Sequence, residues 1–379
     1  MSDTPPPSES VGPGEPTGLR TALVTGATGL LGHAVVDRLL AGGTEVTAVV
    51  RDAERARDLL PDHPGLRLVA GDVTDISSYA GALRGMDAVI HTAAYFREYY
   101  QPGHDVELLY RTNVDAVEEL LKAAVDAQVP AVVQTSSIAV LSRGDIHAPG
   151  DEDTPNGAPD QENHYRSSKI RAERMIDRFG QEFAATYGEK YGTAYGLRVP
   201  LVLPGWMWGP GDAGPTAAGR LFLAVARGEI KALPTAGNHV VDARDAAAVC
   251  VAAASRGAAG RRYIAGGSWY PLHDICAAVV RATGTGTVPR KLPSPAAMGL
   301  ASALEWQAKV RGKEPVATRT GMRVLLEGHH RRVSSARAAR ELDVTFRPLE
   351  QTITDQAAWH RAHGQLPASQ AARRETRSA

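Results

Sequence analysis

The aliphatic run Thr21–Thr25 breaks into Gly26-Ala27-Thr28-Gly29-Leu30-Leu31-Gly32 and resumes as a helical apolar pattern over residues 30–40. Strand, glycine turn and helix together present open backbone N–H groups and the positive end of a helix to a pyrophosphate. The three glycines have separate tasks. Gly26 permits the tight turn, Gly29 lets the backbone approach phosphate, and Gly32 lets the helix pack closely on the strand. The turn, with Gly26, Thr28, Gly29, Leu30, Leu31 and Gly32, is therefore a candidate dinucleotide loop. Its G-x-x-G-x-x-G spacing differs from the commoner G-x-G-x-x-G, and a turn that merely joins strand to helix is the plainer alternative.

The middle of the chain repeats this alternation. Strand-like runs occupy residues 45–50, 66–70, 87–92, 131–135 and 193–203, and helical patterns occupy 53–60, 77–84, 106–127 and 167–183. Such alternation predicts an α/β fold with a doubly wound parallel sheet, whose ligand sits at the carboxyl ends of the strands. Past residue 203 the rhythm gives way to Gly/Pro-rich loops, read as a smaller C-terminal substrate lobe, with a helix over 245–254 returning to the core. The expected organisation is a disordered lead over 1–18, a nucleotide-binding core over 19–203, a lobe over 204–365 and a disordered tail over 366–379. No function is assigned to 288–326, and a helix over 351–363 is expected to pack on the lobe.

Composition excludes several classes. With 42 basic and 42 acidic residues the chain is formally neutral, which argues against nucleic acid or an anionic membrane surface as partner. No uninterrupted apolar run of about 18 residues or more occurs, and the N-terminus lacks a secretory pattern, so a soluble, cytoplasmic protein is expected. Cys250 and Cys276 sit in apolar helical stretches without metal-ligand spacing, and no metal is expected.

Read in order, the strand ends supply the chemistry. The second strand ends at Arg51-Asp52, where an enzyme using NAD usually places a carboxylate for the ribose. Arg51 suits a 2′-phosphate, so NADP(H) is favoured, while Asp52 leaves NAD(H) open. Small residues after the fourth strand, Ala93 and Ala94, leave room for a flat ring, and His91 reads as a packed core histidine. Tyr165 and Lys169 stand at i and i+4, on one helix face and within reach of one ligand. An ammonium there is expected to lower the tyrosine pKa toward the working range. Ser136 and Ser137 end the fifth strand, where a hydroxyl can hold a carbonyl oxygen beside the tyrosine.

Taken together, Gly26, Gly29, Gly32, Asp72-Val73, His91–Ala94, Asn113, Ser136-Ser137, Tyr165, Lys169 and Leu203-Pro204-Gly205 resemble the extended short-chain dehydrogenase/reductase family over roughly residues 20–365. Arg51, the stretch Ala93 to Tyr100, and Gly209-Pro210-Gly211-Asp212 followed by Pro215-Thr216 resemble its dihydroflavonol-4-reductase-like branch. The resemblance implies a Rossmann core with Tyr165 as general acid and Lys169 on the nicotinamide ribose. Ser137 would orient the substrate, with Ser136 close behind, and Asn113 would support a proton relay unless its role is structural. Asp72 and Val73 would touch the adenine, and Pro204, Gly205 and Trp206 the nicotinamide.

On the substrate side, Tyr95, Phe96, Tyr99, Tyr100, Trp206 and Trp208 form either a substrate wall or lobe core. Arg220 is a further contact candidate, while Asp242 and Asp245 read as helix caps. The favoured reading is an NADP-dependent oxidoreductase acting on a ketone or secondary alcohol of an apolar small molecule, as a monomer or a homodimer. An NAD-dependent nucleotide-sugar epimerase or dehydratase and a non-catalytic dinucleotide sensor are the alternatives. Leu203, where many sugar-nucleotide members carry asparagine before the proline, speaks against the first, and the retained Tyr165 and Lys169 against the second.

Overall fold

Alternate residues of the first strand enter different cores, which is why the sheet is covered on both faces. The computed structural model describes residues 16–96, 103–142, 144–191, 196–311 and 319–366. Most of the expected lead, the tail beyond 366, Tyr99 and Tyr100 lie outside the described residues. In β1 (Thr21–Thr25), Ala22 and Val24 point into one buried cluster and Leu23 into the other.

From β1 the chain runs through α1 (Leu30–Ala41), β2 (Glu45–Val50), α2 (Ala53–Leu59), β3 (Leu66–Ala70) and β4 (Ala88–His91). It continues through α3 (Val106–Tyr110), α4 (Ala116–Asp126), β5 (Val132–Thr135), α5 (His164–Tyr191) and β6 (Leu201–Pro204). With the later strand β10 (Arg262–Ala265) these form a seven-stranded parallel sheet, ordered β10-β6-β5-β4-β1-β2-β3. The order reverses between β1 and β4, which opens a crevice at their carboxyl ends. This is the doubly wound Rossmann arrangement.

Three expected segments differ in detail. The pattern over 77–84 forms two short 3₁₀ turns, Ile76–Ser78 and Ala80–Leu83, which break at Tyr79, where the backbone leaves helical geometry, and Gly85, at φ 75°, follows them. The long helix over 106–127 carries one wide π turn at Arg111–Asp115, which contains Asn113. The strand expected over 193–203 shortens to β6, residues 192–195 lying outside the described set.

After β6, Gly205 carries the chain out of the large sheet. A Cβ there would stand 2.8 Å from the Gly266 carbonyl and 3.0 Å from that of His239, so only glycine threads the gap. Beyond it lie β7 (Trp206–Trp208), α6 (Ala217–Ala226), β8 (Ala232–Pro234) and β9 (Gly237–Asp242). The returning helix, α7 (Ala243–Arg256), is apolar nearly all round and packs with α1 on one face of the large sheet, as a helix buried on most sides must. After β10, β11 (Ser268–Pro271) joins β9 and β7 in a three-stranded sheet, and α8 (Leu272–Thr283) follows. Next come β12 (Arg290–Leu292), paired with β8, then α9 (Ser294–Arg311), α10 (Arg319–His329), α11 (Ala336–Leu342) and α12 (Leu349–Ala362). Residues of α6, α8 and α12 form the lobe core, so α12 packs where a lobe helix was expected.

Candidate active site

The glycine turn has the backbone its sequence requires. Gly26 lies at φ 71°, and a Cβ on it would stand 2.6 Å from the Ala93 nitrogen. A Cβ on Gly32 would stand 2.1 Å from the Gly26 carbonyl oxygen, so Gly32 holds α1 against the turn. Gly29 caps α1 without a side chain, which leaves the first-turn N–H groups and the positive helix end facing the cleft. This cradle fits a pyrophosphate.

A continuous cleft of about 1540 Å³ runs from this turn into the lobe. That exceeds the roughly 300–1,000 Å³ of a site for one small ligand and leaves room for a dinucleotide and a second molecule. Gly26, Thr28, Gly29, Leu30, Leu31, Gly32, Arg51, Asp72, Val73, Ala93 and Ala94 line one end. Ser136, Ser137, Tyr165, Lys169, Pro204, Gly205 and Trp206 line the middle, with Tyr95, Phe96 and Arg220 beyond.

At the nucleotide end, Asp52 spends its carboxylate on the α2 cap, accepting from the backbone N–H groups of Glu54 and Arg55 at 3.0 Å. Arg51 is exposed and faces the cleft. The Asp72 carboxylate accepts from the Thr74 N–H and hydroxyl, both at 2.8 Å, and those bonds, aided by Arg51 and Arg111, hold it below the usual carboxylate range against its partial burial.

In the middle, α5 turns Tyr165 and Lys169 toward the end of β5. Ser137, in extended conformation, reaches the Tyr165 phenol and accepts from the Ala139 N–H at 3.2 Å. Ser136 turns the other way and donates to Glu173. The Lys169 ammonium donates to the Thr135 carbonyl at 2.8 Å and lies 5.9 Å from the Tyr165 ring centre. The expected lowering of the tyrosine pKa by lysine is not what this geometry shows. Burial drives the Tyr165 phenol well above its ordinary value, with the Ser137 hydrogen bond opposing, while burial pulls Lys169 down to about 8. Desolvation wins because the ammonium is turned to a carbonyl. The phenol accordingly holds its proton at neutral pH.

Two candidates stand away from the cleft wall. Asn113 is buried, accepts from the Tyr95 N–H at 2.8 Å, and donates to the Tyr95 carbonyl at 3.3 Å and to the Ser168 hydroxyl at 3.0 Å. It fixes the loop that carries Tyr95 rather than pointing into the cleft. Trp208, read as either substrate wall or lobe core, is wholly buried in the lobe core. It shares a face of β7 with Trp206, their ring centres 4.9 Å apart, so Trp206 meets the cleft and Trp208 backs it. Phe96 lies edge-on to Tyr165 at 4.9 Å.

The remaining readings resolve simply. His91 is buried, shares a 2.8 Å hydrogen bond with the Thr25 hydroxyl, and is pulled down to about 3 chiefly by burial. Asp242 caps α7, and Asp245, in its first turn, pairs with Arg347. Cys250 and Cys276 are buried thiols pushed up to about 12 by burial. Among the described residues no group of three or more His, Cys, Asp or Glu is arranged to hold a metal, and no helix is long and apolar enough to cross a membrane.

Sequence reading missed the far wall. Leu292, Ala297, Ala301, Met322 and Leu325, from β12, α9 and α10, line the cleft, with Arg331 following them. No local motif marks them, since β12 reaches the wall only by pairing with β8.

Comparison with known proteins places this geometry. Residues 22–266 match the model of the NAD dependent epimerase/dehydratase family. A Synechocystis sp. protein bearing a dihydroflavonol 4-reductase name is 29% identical over 350 residues, covering 90% of this chain and 94% of that one. A Mycobacterium tuberculosis 3 beta-hydroxysteroid dehydrogenase/Delta 5-->4-isomerase is 35% identical over 223 residues, covering 57% of this chain and 54% of that one. The crystal structure of gox2253 superposes with a TM-score of 0.72 at 30% identity, spanning 92% of this chain and 100% of that one.

Proposed function

The chain belongs to the NAD dependent epimerase/dehydratase family, and from that premise we propose that it is an NADP-dependent reductase of ketones carried on apolar small molecules. The observation that carries the reading is Tyr165, a half-buried phenol hydrogen-bonded to Ser137 where the nucleotide end of the cleft meets a chamber with an apolar far wall. A nicotinamide nucleotide supplies or accepts hydride when bound. The chain's residues do the rest. The α1 N-terminus and its glycines receive the pyrophosphate, and Arg51 receives the 2′-phosphate that Asp52, committed to its helix cap, leaves unopposed. The Lys169 ammonium holds the ribose hydroxyls. Ser137 accepts the task of orienting the carbonyl oxygen, and Tyr165 gives that oxygen its proton. Phe96, Trp206, Met322 and Leu325 exclude water and favour a flat, apolar body.

The relatives named for dihydroflavonol and 3 beta-hydroxysteroid chemistry support a ring-bearing apolar substrate. The test is NADPH oxidation with flavanonols, 3-ketosteroids and aliphatic ketones. Turnover of such a ketone with NADPH in preference to NADH is the expected outcome. Interconversion of nucleotide sugars without net oxidation of added nucleotide contradicts it.

A further inference from the structure

Beyond the groups that face the cleft, α5 presents a third side chain on the same face. Tyr165, Lys169 and Glu173 stand at i, i+4 and i+8, and each holds a different residue at the end of β5. Tyr165 is bonded by Ser137, Lys169 donates to the Thr135 carbonyl at 2.8 Å, and Glu173 accepts from the Ser136 hydroxyl. Glu173 is 1% exposed, an expensive place for a carboxylate without full partners. It has them. Its second oxygen accepts from Asn156 Nδ2 at 2.9 Å and from Arg262 Nη2 at 2.8 Å. Arg262, on β10, is fixed in turn by the Thr154 carbonyl at 2.9 Å and Asn156 Oδ1 at 2.8 Å.

We infer that Glu173 is a positioning residue for the catalytic group: it turns the Ser136 hydroxyl out of the cleft, so that the Ser137 hydroxyl is aimed at Tyr165, and its charge, one turn of α5 away, sustains the Lys169 ammonium; the inference rests on the roles proposed above for Tyr165 and Lys169. The first half follows from extended backbone, in which neighbouring side chains point to opposite faces. Fixing Ser136 inward leaves Ser137 outward. The second half follows from burial. Lys169 is 2% exposed, and Glu173 is the charge that offsets its desolvation. The other titratable groups facing Lys169 are Tyr165 on its own helix and His91 on β4, which burial keeps neutral. Arg262 faces Glu173 from the far side.

The test uses the full chain and NADPH itself, titrated by nicotinamide fluorescence across pH. Affinity of the parent is expected to fall as pH rises through the Lys169 titration near 8. In Glu173→Gln, which keeps shape but removes the charge, that fall is expected about one pH unit lower. A purely structural role would lower thermal stability and leave the fall where it is. Lys169→Met separates the two levels of the argument. If it retains the parent's pH dependence, the proposed role of Lys169 fails. If Lys169→Met abolishes the dependence and Glu173→Gln leaves it unmoved, the Glu173 inference alone is overturned. Should Glu173→Gln not fold, Ser136→Ala decides. It is expected to slow single-turnover NADPH oxidation by phenanthrenequinone about tenfold at unchanged NADPH affinity. A rate equal to the parent's overturns the positioning role.

Discussion

The two ends of the cleft are built by different means. The nucleotide end is made of backbone: a left-handed Gly26, an uncapped α1 N-terminus and a strand end, all within residues 21–51. The far end is made of side chains delivered from long range, since Leu292, Met322 and Leu325 meet α6 and β8 only through tertiary packing. A backbone site is specified by where glycines stand, tolerates no Cβ and recognises a ligand group common to many enzymes. A side-chain chamber is specified by volume and polarity, accepts substitution and sets which molecule enters. Tyr165, the proposed proton donor, lies at the seam, so on this reading chemistry and specificity can vary independently.

Substitutions at the seam and at each end should separate the three. Tyr165→Phe removes the proposed proton donor and is expected to lower turnover about 10²–10⁴-fold while NADPH affinity holds, read by steady-state rates beside equilibrium titration. Gly32→Ala forces a Cβ to 2.1 Å from the Gly26 carbonyl. It is expected to cost about 1–3 kcal/mol of stability and most nucleotide binding, read by denaturant unfolding and NADPH titration. Arg51→Asp is expected to weaken NADPH about 10- to 100-fold and to change NADH little. Equal losses for both would remove the phosphate contact from the account.

At the far end, Met322→Ala is expected to alter KM for apolar ketones by about tenfold or less with nucleotide affinity unmoved. An equal change in NADPH affinity would mean that the two ends are not separate. The smallest effect is a pH dependence of stability. Burial of His91 in the core and His239 beside the lobe depresses their pKa to about 3 and about 4, below an unfolded value near 6.5. Their contribution is present above about pH 6.5 and is lost as pH falls toward those values. His239→Gln, which keeps an acceptor for the Val333 N–H, should flatten part of the decline in Tm between about pH 6.5 and 4.

The contrast also explains what the sequence made legible. β2 is read to the residue because a buried parallel strand is a largely apolar run. β3, at the sheet edge, keeps enough of that run to be read despite the exposed Arg67, and Tyr165 and Lys169 are placed together by helical spacing alone. Asn113 illustrates a harder case. Its spacing is visible, but only packing shows that its amide serves Tyr95 and Ser168. Trp206 and Trp208 are indistinguishable in sequence, and a single repeat along β7 puts one at the cleft and the other in the core. Residues 288–326 carry no signal, since a wall assembled from one short strand and two helices has no periodic signature of its own. The expected effect of Lys169 on Tyr165 fails for a related reason, because burial is a property of the whole fold.

The central claim is that this site exchanges a phosphorylated nicotinamide nucleotide at each turnover. It is tested most directly by denaturing the protein as purified, identifying any released nucleotide by mass spectrometry, and titrating the emptied protein with NADPH and NADH. The account predicts little retained nucleotide and tighter binding of NADPH than of NADH. Stoichiometric, tightly retained NAD would contradict it, and would identify a site that returns the hydride to its own substrate.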